Sequence, residues 1–87
     1  MGGVAGHAGL FSTAPDLARL AEALLRSREG LVSAETLDRF TRPSGVPGSS
    51  RGLGWEMARG DAWAGTLWSD RAYGHTGVTG TVLWIDP

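Results

Sequence analysis

Apolar residues recur at the spacing of an amphipathic helix in the first third of the chain. They lie at i, i+3, i+4, i+7 and i+8 and so share one face: Leu17, Leu20, Ala21, Leu24 and Leu25. Thr13 precedes this stripe as an N-cap, with Asp16 as the return partner of a capping box and Pro15 in the first turn. Gly30 is the expected stop. The pattern predicts a first helix whose apolar stripe needs a partner surface.

A second, shorter helix is predicted over residues 34–41. Ser33 is its N-cap, and Leu37 and Phe40 share one face. Pro43 ends this helix, because the residue before a proline avoids the helical region. The Gly-, Pro- and Ser-rich residues that follow predict a loop.

Two strand patterns come after this loop. Over residues 52–57 apolar side chains alternate with other residues, the apolar ones being Leu53, Trp55 and Met57. In residues 79–85 every position from 82 to 85 is apolar, so both faces of this strand are expected to be buried. A strand buried on both faces lies inside a layered sheet. Two helices and two strands cannot supply that cover, so the sequence predicts part of a larger α/β domain.

The residues between 73 and 80 carry the clearest chemical signal. They read Tyr-Gly-His-Thr-Gly-Val-Thr-Gly and lead directly into the last strand. Glycine lets a ligand or another backbone approach closely, and histidine can hold or move a proton near neutral pH. The pattern indicates a strand edge kept clear for a ligand, with His75 as its reactive group. The alternative is a surface or turn histidine without a chemical role.

Composition removes several classes of function. The net charge of the 87 residues is -1, which argues against a nucleic-acid surface. No apolar run approaches the ~20 residues that cross a membrane, so no membrane segment is predicted. The chain has no cysteine, which excludes disulfides and thiolate metal sites. All eight basic residues are arginine, so no mechanism can use a lysine of this chain.

The four tryptophans fit either a core or a binding platform. Trp55 and Trp84 lie on strand patterns, which favours the core. Trp63 and Trp68 lie in an irregular stretch and fit either use.

Four segments, in order along the chain, resemble the β-lactamase-related serine hydrolases, which include class C β-lactamases, D-alanyl-D-alanine carboxypeptidases and esterases. They are Gly-His-Ala-Gly-Leu-Phe-Ser-Thr-Ala at 6–14, Leu-Val-Ser-Ala-Glu-Thr-Leu at 31–37, Gly-Leu-Gly-Trp at 52–55 and Tyr-Gly-His-Thr-Gly-Val-Thr-Gly-Thr at 73–81. Each segment is short, but together they span nearly the whole chain in the family's order.

The resemblance implies a partial β-lactamase/transpeptidase-like fold: an α/β layered (α+β) arrangement of two helices followed by antiparallel strands of an incomplete sheet. The family uses a Ser-x-x-Lys nucleophile motif, a Tyr-x-Asn or Tyr-Ser-Asp motif, and a Lys-Thr-Gly or His-x-Gly motif on an edge strand. Only the third is matched, by His75-Thr76-Gly77, and the chain has neither the lysine nor the asparagine of the others. Residues 1–87 are therefore expected to be one partial domain that lacks the nucleophile segment, the last strand and the C-terminal helix.

The same resemblance assigns roles to five residues. His75 would line the cleft beside the nucleophile, where it hydrogen-bonds the substrate carboxylate or helps to transfer the proton of the serine. Thr76 would offer its hydroxyl to the ligand, and Gly77 would leave room for an acyl chain. The backbone N–H of Val78 would be one donor of the oxyanion hole, the other coming from the serine. His7 would lie on the cleft rim, with an ordinary loop histidine as the alternative.

Two classes of function remain open at this point. The first is a fragment of a serine hydrolase that acts on ester, amide or β-lactam bonds through an acyl-enzyme, with a small-molecule substrate in the full-length parent and no nucleic-acid partner. The second is a non-catalytic truncated product that binds a ligand or a partner chain. No cofactor and no metal are expected, because a catalytic zinc needs three protein ligands and no third is suitably spaced from His7 and His75.

Overall fold

The structure, a computed structural model, describes residues 2–26, 31–58 and 65–87. Its elements in chain order are α1 (Ala14–Leu25), α2 (Ala34–Phe40), β1 (Glu56–Met57), β2 (Tyr73–Thr76) and β3 (Val82–Ile85). The strands form one antiparallel sheet in the order β1-β2-β3. This confirms the predicted partial α/β arrangement of two helices and antiparallel strands. In the described ranges, neither helix has the length and apolar character that a membrane span requires.

Helix α1 begins where the sequence predicts. The Thr13 hydroxyl accepts a hydrogen bond from the backbone N–H of Asp16 at 3.3 Å, as an N-cap should. The Asp16 carboxylate binds Arg19 at 3.0 Å, so an i, i+3 ion pair replaces the predicted return bond of the capping box. The helix ends at Leu25, and the predicted stop at Gly30 lies outside the described residues.

Helix α2 also begins at its predicted cap but ends one residue early. The Ser33 hydroxyl accepts the backbone N–H of Thr36 at 3.1 Å. The last helical residue is Phe40. Thr41 serves as the C-cap, because both its N–H and its hydroxyl donate to the Leu37 carbonyl, at 3.0 and 2.8 Å.

The strand predicted from residue 52 forms only as β1, at Glu56 and Met57. The Gly52 N–H donates to the Trp55 carbonyl at 2.9 Å, which closes a turn. The Leu53 N–H donates to the Phe40 carbonyl at 2.9 Å, so this segment is bonded to the end of α2 and not to a neighbouring strand. The strand prediction was therefore wrong for residues 52–55.

The last strand begins three residues later than predicted. The N–H of Gly80 donates to the Gly77 carbonyl at 3.0 Å, and Gly80 has a φ of +92°. These features make residues 77–80 a β-turn, and its last residue, Gly80, adopts a positive φ without the strain that a side chain would add. Residues 79–81 belong to this turn and its exit, and the strand starts at Val82.

The core lies between α1 and one face of the sheet. Leu24 of α1 packs with the buried strand residues Met57, Tyr73 and Ile85. Half-buried residues close the cluster: Ala21, Val32, Leu37, Trp55 and Leu83. Leu24 and Ala21 of the α1 stripe thus have the partner surface that the sequence required, whereas Leu20 and Leu25 are 37% and 46% exposed. Trp55 packs against the core, as predicted.

The opposite face of the sheet is less covered. Since side chains alternate between faces, Gly74 and Thr76 of β2 lie there with Val82 and Trp84 of β3. Val82 is 55% exposed and Trp84 is half-buried, whereas Ile85 on the helix face is buried. The expectation that both faces of β3 are buried therefore holds on the helix side only. Strand β3 is also an outer strand of the sheet in the described part of the chain.

Candidate functional site

The sequence motif that begins at Tyr73 forms β2 and the turn that follows it. His75 pairs with Leu83 on β3, and the Gly77 N–H donates to the Thr81 carbonyl at 2.7 Å. Hydrogen-bonded and non-hydrogen-bonded pairs alternate along an antiparallel ladder. The backbone groups of His75 therefore face β3, and those of Thr76 face the opposite side, toward β1.

Strand β1 is too short to cover Thr76. It pairs Met57 with Tyr73 and Glu56 with Gly74, and the chain before Glu56 turns away toward α2. In the part of the chain that the structure describes, no strand therefore lies along the β1 side of Thr76. The motif was predicted on an edge strand, whereas β2 is central in this sheet. Its C-terminal half nevertheless presents an open edge, which is the feature that the prediction required.

The imidazole of His75 is exposed beside this edge. Its Nδ1 lies 2.6 Å from the backbone carbonyl oxygen of Thr76. A carbonyl oxygen only accepts hydrogen bonds, so Nδ1 carries the hydrogen and donates it. In the neutral ring, Nε2 then holds the lone pair. This is the arrangement in which a histidine can accept a proton through Nε2 while its other nitrogen fixes the ring.

Val78 occupies position i+1 of the turn formed by residues 77–80. Its side chain is fully exposed. Among the described residues its backbone N–H donates to no other group. An accessible N–H without an internal partner, three residues from His75, is available to an oxygen of a ligand.

Thr76 and Gly77 complete the motif. The Thr76 side chain is exposed on the face opposite the helices. A methyl group added at Gly77 would overlap the Thr81 hydroxyl. The Thr81 side chain can rotate away from this position, so the contact alone does not require glycine, and the role of leaving room for an acyl chain stays a prediction.

His7 lies in a different part of the chain. It is exposed in a tight two-residue turn, where Ala5 and Ala8 exchange backbone hydrogen bonds of 2.8 and 3.2 Å. In the described ranges no hydrogen bond joins His7 to His75. Nor do these ranges contain a cluster of three or more His, Cys, Asp or Glu side chains that could hold a metal. The place of His7 on a cleft rim stays a prediction.

Among the described residues, two cavities lie beside the core and away from the motif. One of about 330 Å³ reaches Met57 and Tyr73 on the sheet, and one of about 240 Å³ lies among apolar side chains of α1 and α2. His75 lines neither of them. Burial raises the pKa of the Tyr73 hydroxyl above its ordinary value of 10.0, so this group is neutral at physiological pH. Neither cavity forms the ligand site predicted at His75.

A contact that the sequence did not reveal lies directly before His75. Gly74 faces Trp84 across the ladder, and a methyl group at Gly74 would lie 2.5 and 2.6 Å from ring carbons of Trp84. Trp84 in turn packs against Trp68, with ring centroids 5.8 Å apart and planes inclined by 32°. Trp68 and Trp84 therefore pack together on the outer face, while Trp63 lies outside the described residues.

The loop that carries Trp68 is joined to the end of β3 by two hydrogen bonds, which we call the Ser69–Asp86 clamp. The Ser69 N–H donates to Asp86 Oδ2 at 3.1 Å, and the Ser69 hydroxyl donates to Oδ1. The partners are 17 residues apart in sequence, so no local pattern could have indicated the pair. The Asp86 carboxylate accepts two hydrogen bonds from Ser69, and this contact can be recognised only once the strands are in place.

The Ser69–Asp86 clamp should make the stability of the fold depend on pH in acid. Hydrogen bonds from the Ser69 hydroxyl and N–H hold the pKa of Asp86 below its ordinary value of 3.8. A carboxyl whose folded-state pKa is lowered adds stability above its unfolded pKa and loses it as the pH falls through the folded value. We expect the clamp's contribution to be complete above about pH 4 and to disappear below it. Denaturant midpoints measured between pH 7 and pH 2 check this. Asp86→Asn should lose less stability than the wild type as the pH falls, because it lacks the titrating carboxylate. An unchanged pH profile in Asp86→Asn would contradict it.

The whole chain matches the family model described as Beta-lactamase, over residues 1–87. It is 47% identical over 95 residues to a protein of Escherichia coli O157:H7 provisionally named D-alanyl-D-alanine carboxypeptidase, and 46% identical to a protein of the same provisional name in Escherichia coli (strain K12). It is 44% identical over 94 residues to the N-acetylmuramyl-L-alanine amidase of Bacillus subtilis (strain 168). No solved structure matches the chain.

The alignments cover all of this chain but only a small part of each relative. Each of these alignments includes 100% of the present chain but only 21% of the relative. The chain therefore spans about a fifth of the length of the relatives that it matches. Because the family model extends over all 87 residues, and because these relatives share more than two-fifths of the aligned positions, this chain belongs to the beta-lactamase family.

Proposed function

We propose that this chain is the part of a serine-hydrolase catalytic domain that carries the third active-site motif, and that the complete polypeptide cleaves ester, amide or β-lactam bonds through an acyl-enzyme. One observation carries this proposal. The open strand edge at Thr76 lies between the exposed His75 ring and the unbonded N–H of Val78. The names of the relatives, a carboxypeptidase and an amidase, are those of hydrolases and support the same reaction class.

The substrate would lie along the open edge as an added antiparallel strand. The backbone groups of Thr76 face that edge and are free of a strand partner in the described residues, so they can bond to an extended acyl group. Main-chain bonds of this kind fix the direction of the substrate without selecting its side chains. They would bring the reacting carbonyl toward the turn at residues 77–80.

At this turn, the Val78 N–H would stabilise the developing negative charge. When the serine oxygen attacks the carbonyl carbon, the carbonyl oxygen becomes an oxyanion and accepts hydrogen bonds from fixed donors. Val78 supplies one donor on a tight turn, which is held by the Gly80-to-Gly77 hydrogen bond of 3.0 Å. The second donor and the nucleophile belong to residues beyond those of this chain.

His75 would work through Nε2. Its Nδ1–H is bonded to the Thr76 carbonyl, so the ring is oriented and the Nε2 lone pair is available. In the acyl-transfer step the serine proton passes to a base while the new C–O bond forms, and the leaving group departs with a proton. His75 would help to move that proton, or it would hydrogen-bond the carboxylate of the substrate when protonated. Substitution of His75 by glutamine distinguishes these two roles.

Fluorophosphonate labelling of the source cell's proteins tests the proposal. A fluorophosphonate reacts with an activated serine and marks the polypeptide that contains it. We expect label on a polypeptide several times heavier than 9.1 kDa whose peptides include this sequence. Labelling should weaken in the His75→Ala form of that polypeptide.

The isolated 87-residue chain provides the matching control. It contains neither Ser-x-x-Lys nor any lysine, so we expect no esterase turnover from it. An unlabelled species of 9.1 kDa in the cell would contradict the hydrolase proposal and favour the non-catalytic alternative. Turnover by the isolated chain that disappears in His75→Ala would show that the nucleophile had been misassigned.

A further inference from the structure

The face of the sheet opposite the helices carries a series of contacts that ends at the active-site motif. The Ser69–Asp86 clamp joins Asp86 to Ser69, and the residue before Ser69, Trp68, packs on Trp84. The Trp84 ring then covers Gly74, the residue before His75. None of these residues has a part in the reaction proposed above.

At the cross-strand pair Gly74–Trp84, the two strands are in contact through side-chain packing. The register makes Tyr73–Ile85 and His75–Leu83 the hydrogen-bonded pairs, so Gly74 and Trp84 face each other without a ladder hydrogen bond between them. An aromatic ring over a cross-strand glycine supplies the contact that the missing side chain cannot. The ring position therefore sets the separation and twist of the two strands immediately before the motif.

We infer that Trp84 is a positioning residue for this motif: its ring, held by Trp68 and the Ser69–Asp86 clamp, fixes the Gly74 backbone and thereby the placement of His75 and of the open edge at Thr76. The inference rests on the proposed function for its catalytic consequence. Its structural part, the placement of the backbone by Trp84, stands independently of the reaction.

The fold offers a way to separate positioning from stability. The buried core, which includes Leu24, Met57 and Tyr73, lies on the other face of the sheet. Trp84 is only half-buried, and its face carries the exposed Val82 as well. Replacing Trp84 should therefore leave the core contacts in place while releasing the backbone of Gly74.

The test compares three variants of the complete polypeptide: Trp84→Ala, Trp84→Phe and Leu67→Ala. We expect Trp84→Ala to lower kcat/KM roughly 10- to 100-fold, mainly through kcat, because misplacing a reacting group by about 1 Å costs as much as 100-fold. Trp84→Phe keeps a ring over Gly74 and should recover most of the rate. Leu67→Ala is the matched control, since Leu67 is the neighbour of Trp68 and is fully exposed. Rates are measured well below the Tm of each variant.

A second readout does not depend on activity. The amide ¹H–¹⁵N shifts of Thr76 and Val78 should move in Trp84→Ala, return toward wild type in Trp84→Phe and stay unchanged in Leu67→Ala. A lower Tm with unchanged kcat, KM and amide shifts in Trp84→Ala would overturn the inference. If the wild-type polypeptide takes no fluorophosphonate label, the proposed function fails, and the amide shifts alone decide whether Trp84 positions the motif.

Discussion

Val78→Pro in the complete polypeptide is expected to lower kcat/KM about 100- to 1,000-fold, the usual loss when one oxyanion donor is removed. Proline lacks the backbone N–H that we assign to the oxyanion. The substitution fits the backbone, because Val78 is at position i+1 of the turn, where proline is favoured. The Val78 side chain is fully exposed, so no packing is lost with it. Most of the loss should fall on kcat, since the donor acts on the transition state.

The matched control for this substitution is Val78→Ala. Alanine keeps the N–H and removes only the exposed methyl groups, so most of the activity should remain. Steady-state kinetics with an ester substrate, together with a melting curve for each variant, check the pair. Equal losses in Val78→Pro and Val78→Ala would mean that the backbone N–H has no part in the reaction.

His75→Ala should lower kcat/KM by about 100- to 10,000-fold if His75 moves the proton of the nucleophile, the range typical of general acid–base groups. The change also removes the hydrogen bond between Nδ1 and the Thr76 carbonyl, but the exposed ring contributes nothing to the buried core. The fold should therefore survive. Single-turnover acylation, followed by the burst of leaving group, measures the affected step directly.

A second substitution at His75 separates the two roles proposed for this residue. Glutamine can donate a hydrogen bond to a substrate carboxylate but cannot take up a proton as a base near neutral pH. If His75 only binds the carboxylate, His75→Gln should retain much of the rate and mainly raise KM. If His75 moves a proton, His75→Gln should be as slow as His75→Ala. Thr79→Ala, at an exposed position of the same hairpin, is the control. Full activity in both His75 variants would remove His75 from the site.

The helices were predictable because their signals are local. Thr13 and Ser33 each cap a helix through a bond to a residue three positions on, and the first residues of both helices follow from these caps. The apolar stripe likewise identified Leu24 as a core residue. These interactions depend on neighbours within one or two turns, which the sequence displays directly.

The strand boundaries and the outer-face contacts depend on distant partners. The Leu53 N–H is hydrogen-bonded to the Phe40 carbonyl, 13 positions earlier, and so does not pair with a strand. The alternation of apolar residues could not show this contact. The glycines of residues 73–80 predict that another group approaches closely, but the group that approaches Gly74, the Trp84 ring, follows from the register of β2 and β3. The candidate motif residues were proposed from the family resemblance, whereas the groups that surround them are seen only in the folded structure.

The outer strand β3 has a consequence for laboratory work with the isolated chain. By the same alternation of the ladder, the backbone groups of Val82 point away from β2, and in the described part of the chain no strand lies beyond β3. The strand from Val82 to Ile85 contains no charged residue and no proline. Natural proteins interrupt such edges with lysine, proline or a bulge, because an unguarded apolar edge templates aggregation. Overexpressed alone, this piece is therefore a candidate for inclusion bodies, and a charged fusion partner or dilute refolding is the appropriate route to a soluble sample.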